Sequence, residues 1–342
     1  MDERKKQILH AIVNDYVTTA EPVGSRTISK KYGLGVSSAT IRNEMSDLEE
    51  LGYIEQPYTS AGRIPSDKGY RYYVDCLMEK EQLTPMEMKQ VEVLFSRKNA
   101  DLEQIVQATC HLLSQLTNYT SIILVPKRSD GSLERIQLIP ISLYRFMVVI
   151  VSDTGFINQR VLDLPHPIEP QRLQEISEFL QKKLFGLNME QVNSTLLEEI
   201  SHQFSNHGDF KNLTIELVEQ VLMKSTGDRV FLNGIINMLN QPEFRDLEKL
   251  KALFTSLEED QIVKSLLKKE RKEGTNISIG EENSIQGINH CSVISTDYKI
   301  NGKTVGSIGV LGPTRMNYSK AVSILEHVTD QLSWILEKIL KK

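Results

Sequence analysis

Three stretches of helical periodicity fill the first fifty residues, and a glycine-rich turn between the last two limits how they can pack. Apolar residues recur every three or four positions over residues 4–18, which is the spacing of a helix that buries one face. A second, short helix is predicted over residues 25–31. The glycines of "YGLGVS" then predict a tight turn before the third helix. This arrangement is typical of a helix-turn-helix.

The third helix is predicted to begin at the Ser37–Ser38 pair, which suits an N-cap, and to end before Gly52. Its apolar residues share one face, which is predicted to be buried: Ile41, Met45, Leu48 and Leu51. The opposite face carries short side chains with one arginine and one asparagine: Ser38, Ala39, Arg42, Asn43 and Ser46. Because arginine can bond guanine and asparagine can bond adenine, this face is suited to reading the major groove of DNA.

The segment after the third helix predicts a β-hairpin and a fourth helix. One strand is predicted over residues 53–56, and a second ends at Pro65 after the turn-rich "PYTSAG". Ser66 is placed to cap the helix that follows. Three basic residues lie where a hairpin wing and its base can touch phosphates or the minor groove: Arg63, Lys68 and Arg71.

Charge restricts any nucleic-acid binding to local patches. The chain of 342 residues has a net charge of −5, which disfavours the bulk electrostatic coating of nucleic acid. Residues 22–46 nevertheless hold four basic side chains against one carboxylate, and residues 56–73 hold three against one. A few neutralised phosphates per subunit are enough for affinity when two subunits act together.

The composition predicts a folded protein, and the length predicts two or three domains, at roughly 150 residues per domain. No apolar run reaches the ~18 residues of a membrane span, and the charged N-terminus has no signal sequence, so a cytoplasmic protein is expected. The cysteines are odd in number and widely spaced, which fits neither a disulfide framework nor a zinc cluster: Cys76, Cys110 and Cys291.

Two N-terminal segments, "SSATIRNEMSDLEELGYI" and "TSAGRIPSDKGYRYYVD", resemble the N-terminal domain of the HrcA family of bacterial heat-inducible transcription repressors. Further segments along the chain are similar to the same family: "IILVP", "VFLNGIINMLNQPEF" and "GSIGVLGPTRMNYSKAVSILEHV". The resemblance implies an α+β multidomain protein with an N-terminal winged helix-turn-helix, a GAF-like α/β domain and an inserted α/β dimerisation domain.

Strand patterns give the expected domain limits. Three strand-like stretches, "SIILVP", "LERIQLIPIS" and "RFMVVIVSDTG", and three near the C-terminus, "NISIGEEN", "CSVISTDYKI" and "TVGSIGVLG", are expected to form one sheet around a helical insertion. With the resemblance, this predicts a winged helix over 1–82, a linker over 83–100, a GAF-like domain over 101–167 and 227–342, and a dimerisation domain over 168–226.

The resemblance also implies a function. It is that of a homodimeric repressor, not an enzyme, which binds the CIRCE inverted repeat in double-stranded DNA upstream of the groE and dnaK operons. The GroEL chaperonin would keep the repressor active. A two-fold protein matches a palindromic operator. No cofactor, metal or catalytic residue is expected.

The expected DNA contacts come from the N-terminal region. Base contacts are predicted for residues of the third helix: Ser38, Thr40, Arg42 and Asn43, with Ser37 included at the helix start. Contacts to the DNA backbone are predicted for basic residues around it: Arg26, Lys30, Arg63, Lys68 and Arg71.

Several motifs favour packing over chemistry. "GSIGVLG" fits neither a dinucleotide fingerprint nor a Walker sequence, and so indicates a buried strand. In the pairs Cys110–His111 and His290–Cys291 the neighbours point apart, so neither pair chelates a metal alone. "LLKKERKEG" is predicted to be a solvated helix face, with a second nucleic-acid contact as the alternative. The last helix resembles a coiled-coil seam, but packing on its own sheet is favoured over a subunit contact.

Three other functions stay open from sequence. They are a repressor that senses a metabolite in the GAF-like domain, an enzyme with a regulatory winged helix, and an interaction protein that does not bind DNA. The enzyme is disfavoured because the chain has no Gly-X-Ser-X-Gly elbow, no His-Glu-X-X-His motif and no Gly-Arg-Gly-Arg loop like that of biotin protein ligases. The polar face of the third helix disfavours the interaction protein.

Overall fold

The computed structural model divides into two compact units of mixed α/β structure. Unit 1 comprises Met1–Val125 and Val230–Lys338, and unit 2 comprises Pro126–Arg229 with Ile339–Lys342. The structure describes the following residues: 1–96, 102–125, 132–152, 157–164, 166–187, 228–268, 274–285, 287–300 and 302–340.

Three helices open unit 1, as the periodicity predicts. They are α1 (Glu3–Thr19), α2 (Ser25–Lys31) and α3 (Ser38–Glu50). The predicted apolar face of α3 is buried at Ile41, Met45 and Leu48. The prediction that Leu51 is buried is wrong, because α3 ends one residue earlier and the Leu51 side chain is 48% exposed.

Ion pairs join these helices. Lys5 Nζ on α1 lies 2.8 Å from Glu44 Oε2 and 3.0 Å from Asp47 Oδ2 on α3. Glu44, then Asp47 and Asp2, raise the pKa of the Lys5 ammonium above its ordinary value. Together with the apolar contacts, these pairs fix the orientation of α3 and therefore determine which of its faces points away from α1.

A two-stranded ribbon and a fourth helix follow. β1 (Ile54–Glu55) pairs antiparallel with β2 (Ile64–Pro65). Helix α4 (Asp67–Tyr72) continues as a π-helical turn over Tyr73–Leu77. A Cβ atom at Gly69 would lie 2.0 Å from the Tyr53 carbonyl oxygen, so only glycine lets α4 pack so closely against the chain that enters the ribbon.

Most of the range predicted as a linker, residues 83–100, is helical. Helix α5 (Pro85–Phe95) begins with a capping box between Thr84 and Glu87 and buries Val91 and Phe95. A capped helix with two buried apolar residues is a folded element and not a spacer. Residues 97–100 lie outside the described part of the chain.

The remaining elements are, in chain order, α6 (Leu102–Thr117), β3 (Thr120–Val125), β4 (Leu133–Ser142), β5 (Arg145–Ser152), β6 (Ile157–Asp163), α7 (Pro170–Leu184), β7 (Arg229–Asn233), α8 (Leu247–Glu258), α9 (Asp260–Lys268), β8 (Asn276–Ile279), β9 (Cys291–Ile300), β10 (Lys303–Pro313) and α10 (Tyr318–Leu340). Short 3₁₀ turns cover Ile235–Asn240, Pro242–Phe244 and Gly280–Glu282.

Unit 1 is built on a five-stranded sheet with the order β7-β3-β10-β9-β8. One face packs on α8 and α9 through a cluster that includes Ile122, Leu253 and Val263. Successive residues of a strand face opposite sides, and Ser121 of β3 hydrogen-bonds to Cys110 of α6 on the other side. The sheet is therefore covered on both faces.

Strands β4, β5 and β6 of unit 2 form a separate antiparallel sheet that packs on α7. The core between the sheet and the helix includes Ile136, Val148 and Ile176. The prediction that "LERIQLIPIS" and "RFMVVIVSDTG" join the C-terminal strands is therefore wrong, and unit 2 begins just after Val125. β4, β5 and β6 instead pair with one another, and their buried residues share a core with α7. Residues 188–227, most of the predicted inserted domain, lie outside the described residues.

The glycines of "GSIGVLG" lie in β10, as a buried strand requires. A Cβ at Gly306 would lie 2.2 Å from Tyr298 Oη and 2.4 Å from the Leu124 carbonyl oxygen. A Cβ at Gly309 would lie 2.7 Å from the Ile294 carbonyl oxygen. These glycines therefore allow close packing at the centre of the sheet, which confirms the interpretation of the motif.

The last helix packs within its own unit, as favoured from sequence. Ala321, Leu325, Val328 and Leu332 are fully buried by the rest of this single chain. No helix within the described residues is both long enough and apolar enough to span a membrane.

Two buried tyrosines of unit 1, Tyr70 and Tyr318, give a matched test of its packing. Tyr318 Oη donates to the Thr314 carbonyl oxygen at 2.6 Å and lies 2.7 Å from Ser292 Oγ, whereas no described group hydrogen-bonds to Tyr70 Oη. Tyr318→Phe should therefore lower the free energy of unfolding by about 1–3 kcal/mol, and Tyr70→Phe should leave it unchanged or raise it. Urea unfolding followed by the fluorescence of the single tryptophan, Trp334, measures both. Equal losses in the two variants would contradict this packing.

The same tyrosines predict a loss of stability at high pH. Burial raises the pKa of both phenols above the ordinary value. The folded chain keeps protons that the unfolded chain loses above about pH 10, so the free energy of unfolding should fall as the pH rises past that value. Tyr70→Phe removes one of these groups and should make the fall less steep than in the unchanged protein. Parallel curves for the two proteins would count against the prediction.

Candidate nucleic-acid interface

The exposed face of α3 is the face that the sequence predicts. Ala39, Arg42, Asn43 and Ser46 are all exposed. Since the buried side of α3 packs on α1 and α2, this polar face points away from the interior of the three helices.

The first turn of α3 is held by its own hydroxyl groups. Ser37 Oγ accepts a hydrogen bond from the Thr40 backbone N–H at 3.1 Å and lies 3.0 Å from Thr40 Oγ1. Ser38 and Thr40 are half-buried. Ser37 and Thr40, both predicted DNA contacts, therefore also form the N-cap that fixes the start of the helix.

Three of the predicted cations are exposed and make neither an ion pair nor a side-chain hydrogen bond within the described part of the chain. They are Arg26 and Lys30 on α2 and Arg42 on α3. The two helices pack against each other. In contrast, Lys31 of α2 pairs with Asp15 of α1 at 2.5 Å. The unpaired positive charge is thus concentrated on the two helices that carry the exposed polar face.

Arg63 is held at the base of the ribbon. Its Nη2 and Nε atoms lie 2.7 and 2.9 Å from Glu49 Oε2 on α3. Its backbone exchanges two hydrogen bonds of 2.9 Å with Val23. Arg63 therefore joins the ribbon to α3 and to the segment before α2, and its side chain is only partly exposed.

Lys68 and Arg71 on α4 also have intramolecular partners. Lys68 Nζ donates to the Leu51 carbonyl oxygen at 2.7 Å and lies 4.6 Å from the centroid of the Tyr53 ring. Arg71 bonds to Glu282, Asp75 and the Ile277 carbonyl oxygen. Of the predicted contacts, Arg26 and Lys30 thus lie on α2, and Arg42 and Asn43 lie on α3, which packs against α2. Arg71 instead bonds toward β8 and the 3₁₀ turn after it.

The tip of the ribbon adds a candidate contact that the sequence analysis does not include. Tyr58 is 62% exposed, and Gln56 Nε2 holds the turn by donating to the Thr59 and Ala61 carbonyl oxygens at 3.0 and 3.1 Å. An aromatic ring within the turn-rich "PYTSAG" is the signal that points to it.

The cysteine–histidine pairs point apart, as predicted. Cys110 and Cys291 are buried, whereas His111 and His290 are exposed. Burial raises the pKa of the Cys110 thiol to about 11. The described residues contain no group of three or more His, Cys, Asp or Glu side chains placed to hold a metal ion. Residues 269–273 of "LLKKERKEG" lie outside the described residues.

Comparison with known proteins gives the family. The model of the HrcA protein C-terminal domain matches residues 103–322. The heat-inducible transcription repressor HrcA of Moorella thermoacetica is 45% identical over 342 residues, covering 100% of this chain and 99% of that relative. This chain belongs to the HrcA family. The HrcA proteins of Pelotomaculum thermopropionicum and Brevibacillus brevis are 46% and 41% identical, each over 100% of this chain, and cover 98% and 100% of those relatives.

One solved structure has the same fold over the whole length of the HrcA-family chain. It is a crystal structure of a hypothetical protein, with a TM-score of 0.65 and 26% sequence identity, and the match covers 99% of each chain. These three HrcA relatives are named as transcription repressors and not as enzymes.

Two substitutions in the HrcA-family chain separate base reading from charge. Arg42→Ala should weaken binding to the preferred DNA by about 1–3 kcal/mol and relax sequence preference, because a bidentate base contact is lost. Lys30→Ala, the matched loss of one exposed cation, should weaken binding to all DNA about equally and lower the salt slope by about 1. Anisotropy titrations on preferred and random duplexes at two salt concentrations measure both. Equal losses on both duplexes for Arg42→Ala would remove its assignment to a base.

Proposed function

We propose that this HrcA-family chain is a sequence-specific DNA-binding repressor of transcription. The observation that carries the proposal is the exposed face of α3 with Arg42 and Asn43, on a helix that packs against α2, which carries the exposed Arg26 and Lys30. Relatives that match the whole chain are named heat-inducible transcription repressors. A repressor of this kind acts in the cytoplasm, where its target DNA lies.

Residues 1–82 are proposed to form a winged helix-turn-helix in which α3 is the recognition helix. Its 13 residues span about 20 Å, and an α-helix fits the major groove of B-DNA. There Arg42 and Asn43 read base edges, with Ser38 and Thr40 near the first turn. The fixed N-cap at Ser37 presents the helix N-terminus to a phosphate, since backbone N–H groups at that end favour anions.

The ribbon of β1 and β2 is proposed to be the wing. Its exposed tip at Tyr58 is placed to contact the adjacent backbone or minor groove. Lys68 keeps its charge near the ribbon base, while Arg63 contributes mainly by holding the wing against α3 through Glu49. Arg26 and Lys30 are then the strongest candidates for phosphate contacts.

The repressor is proposed to act as a homodimer on an inverted repeat, because two copies related by a two-fold axis present two equivalent recognition helices. Unit 1 outside residues 1–82 is proposed to be the GAF-like domain, and the inserted unit is proposed to provide the dimer contact. The operator is proposed to be the CIRCE inverted repeat upstream of the groE and dnaK operons.

Anisotropy of the full-length protein on a CIRCE duplex and on a scrambled duplex of equal composition tests this function. Binding to CIRCE should be at least ~10³-fold tighter, which is within the range of specific DNA-binding proteins. A duplex that carries only one half of the repeat should bind much more weakly, because the second subunit then has no specific contact. Equal, weak binding to the CIRCE and scrambled duplexes by folded protein would refute the proposed operator.

Control by the GroEL chaperonin is proposed as the regulatory step. Chaperonin bound to the repressor would keep it in its active fold, and heat-damaged proteins would compete for the same chaperonin. Adding GroEL to heat-treated repressor should raise the fraction that binds the operator, and adding an unfolded competitor protein should reverse the gain. An active fraction that does not depend on GroEL would exclude this control.

A further inference from the structure

We propose that two arginines, Arg71 and Arg315, fix the orientation of the recognition helix relative to the rest of unit 1, and so set the operator spacing that a dimer accepts. The inference rests on the proposed function, because spacing matters only for a dimer on a two-part operator. We call the contacts between residues 1–82 and residues 230–338 within unit 1 the junction.

The first contact is centred on Arg71. Its Nε donates to Glu282 Oε1 at 2.8 Å and its Nη2 to Glu282 Oε2 at 2.5 Å. Nη2 also donates to the Ile277 carbonyl oxygen on β8 at 2.7 Å. Two parallel N–H···O bonds between planar groups fix angle as well as distance. Glu282 is itself held by the Ile279 backbone N–H at 2.9 Å.

A backbone contact next to Arg71 strengthens the same part of the junction. Asp67, in the first turn of α4, accepts a hydrogen bond from the Glu281 backbone N–H at 2.9 Å. A Cβ at Gly280 would lie 1.8 Å from Asp67 Oδ2, and Gly280 has φ of 52°. Glycine is thus required there both for the turn and for the close approach of α4.

The second contact is centred on Arg315, whose side chain is only 10% exposed. It donates to the Val17 carbonyl oxygen at 2.5 Å, to Glu243 Oε1 at 2.6 Å and to Gln241 Oε1 at 3.3 Å. Burial disfavours the charge, but Glu243, with smaller contributions from Tyr70 and Tyr119, outweighs this effect, so the pKa of the Arg315 guanidinium is raised.

The position of Arg315 at the end of α1 is chemically specific. Val17 is in the last turn of α1, where a helix leaves its carbonyl groups without internal partners. That turn contains no basic residue of its own. Arg315 therefore supplies from the rest of unit 1 the cation that favours a helix C-terminus.

Further bonds continue the junction to the end of the N-terminal region. Ser319 Oγ donates to the Glu79 carbonyl oxygen at 2.5 Å and accepts from the Glu81 backbone N–H at 2.7 Å. Lys80 Nζ lies 2.6 Å from Glu326 Oε2. The N-terminal region is thus held at several separated points, which restrains rotation.

The described polar contacts of the junction come from α4, the end of α1 and residues 79–81, and none comes from α2 or α3. The exposed face of α3 therefore stays accessible while its direction is fixed. In a dimer the two recognition helices must enter grooves about one helical turn apart. Once one subunit of the dimer is bound, the second binds the same DNA with an effective advantage, which raises the overall affinity by about 10²–10⁴-fold. If the orientation of the helices is fixed, this gain occurs only at the matching spacing.

Glu282→Gln tests the proposal without removing a cation that could bind DNA. The amide places an NH₂ group where Arg71 needs an acceptor, so the bidentate pair is lost. Glu281→Gln is the matched control, because it makes the same charge change one residue away on an exposed side chain whose carboxylate has no partner among the described residues. Arg315→Lys tests the second contact while it keeps the charge.

Full-length variants are titrated against three duplexes: the CIRCE repeat, the same repeat with about 5 bp, roughly half a helical turn, added to the spacer, and a single half-site. The unchanged protein and Glu281→Gln should prefer the natural spacing by ~10²-fold or more. In Glu282→Gln and Arg315→Lys this preference should fall to about tenfold or less, with half-site affinity within about twofold of the unchanged protein.

A spacing preference in Glu282→Gln equal to that of the control would overturn the proposal. An equal loss of affinity on all three duplexes would also overturn it, because the spacing preference is then unchanged and the loss reflects folding. A normal result for Arg315→Lys alone would overturn the part assigned to Arg315. If the unchanged protein does not distinguish CIRCE from scrambled DNA, the proposed function fails instead.

A measurement without DNA then still tests whether the orientation of α3 within unit 1 is restrained. Spin labels at Ser46→Cys on α3 and Glu258→Cys on α8, in a Cys76→Ser background, give the distance distribution by pulsed electron resonance. Glu282→Gln should broaden the distribution and Glu281→Gln should not. An unchanged distribution in Glu282→Gln would overturn the restraint whatever the DNA results are.

Discussion

The antiparallel pairing of β3 with β10 is the interaction on which the rest of unit 1 depends. It joins Thr120–Val125 to Lys303–Pro313, so Pro126–Arg229 of unit 2 lie in the sequence between the two paired strands. The entropy cost of closing a chain segment rises only slowly with its length, so a large insertion between two paired strands is tolerated. Because α10 begins a few residues after β10, this pairing also sets where Arg315 and Tyr318 meet the N-terminal region.

The distribution of charge in the N-terminal region separates structure from binding. Lys5, Lys31 and Arg63 are paired with carboxylates of neighbouring elements. These pairs are partly buried, and they fix the relative positions of helices and ribbon. On α2 and α3, Arg26, Lys30 and Arg42 make no such pair in the described residues. A chain of negative net charge thus keeps uncompensated positive charge on these two helices.

The junction within unit 1 contains buried polar groups. Tyr70 Oη and Glu243 Oε2 are buried there without hydrogen-bond partners among the described residues. Such groups lower the stability of an interface, whereas bidentate and capped contacts make its geometry specific. An interface of this composition holds an orientation more than it adds stability. That property suits a DNA-binding region whose direction, more than its attachment, determines what it binds.

The sequence by itself determined the local elements and the exposed polar face of α3. Periodicity and caps located α1, α2, α3 and the six predicted strands, because side-chain spacing and turn chemistry act over a few neighbouring residues. The face with Arg42 and Asn43 followed from the same spacing. Only the tertiary structure decided which strands share a sheet, that residues 85–95 are a packed helix, and that Arg71 bonds to Glu282 and not to solvent. Arg315 had no sequence signal, since its partners Val17 and Glu243 are distant in the chain. Long-range pairing depends on which surfaces meet after folding, and local periodicity carries no information about it.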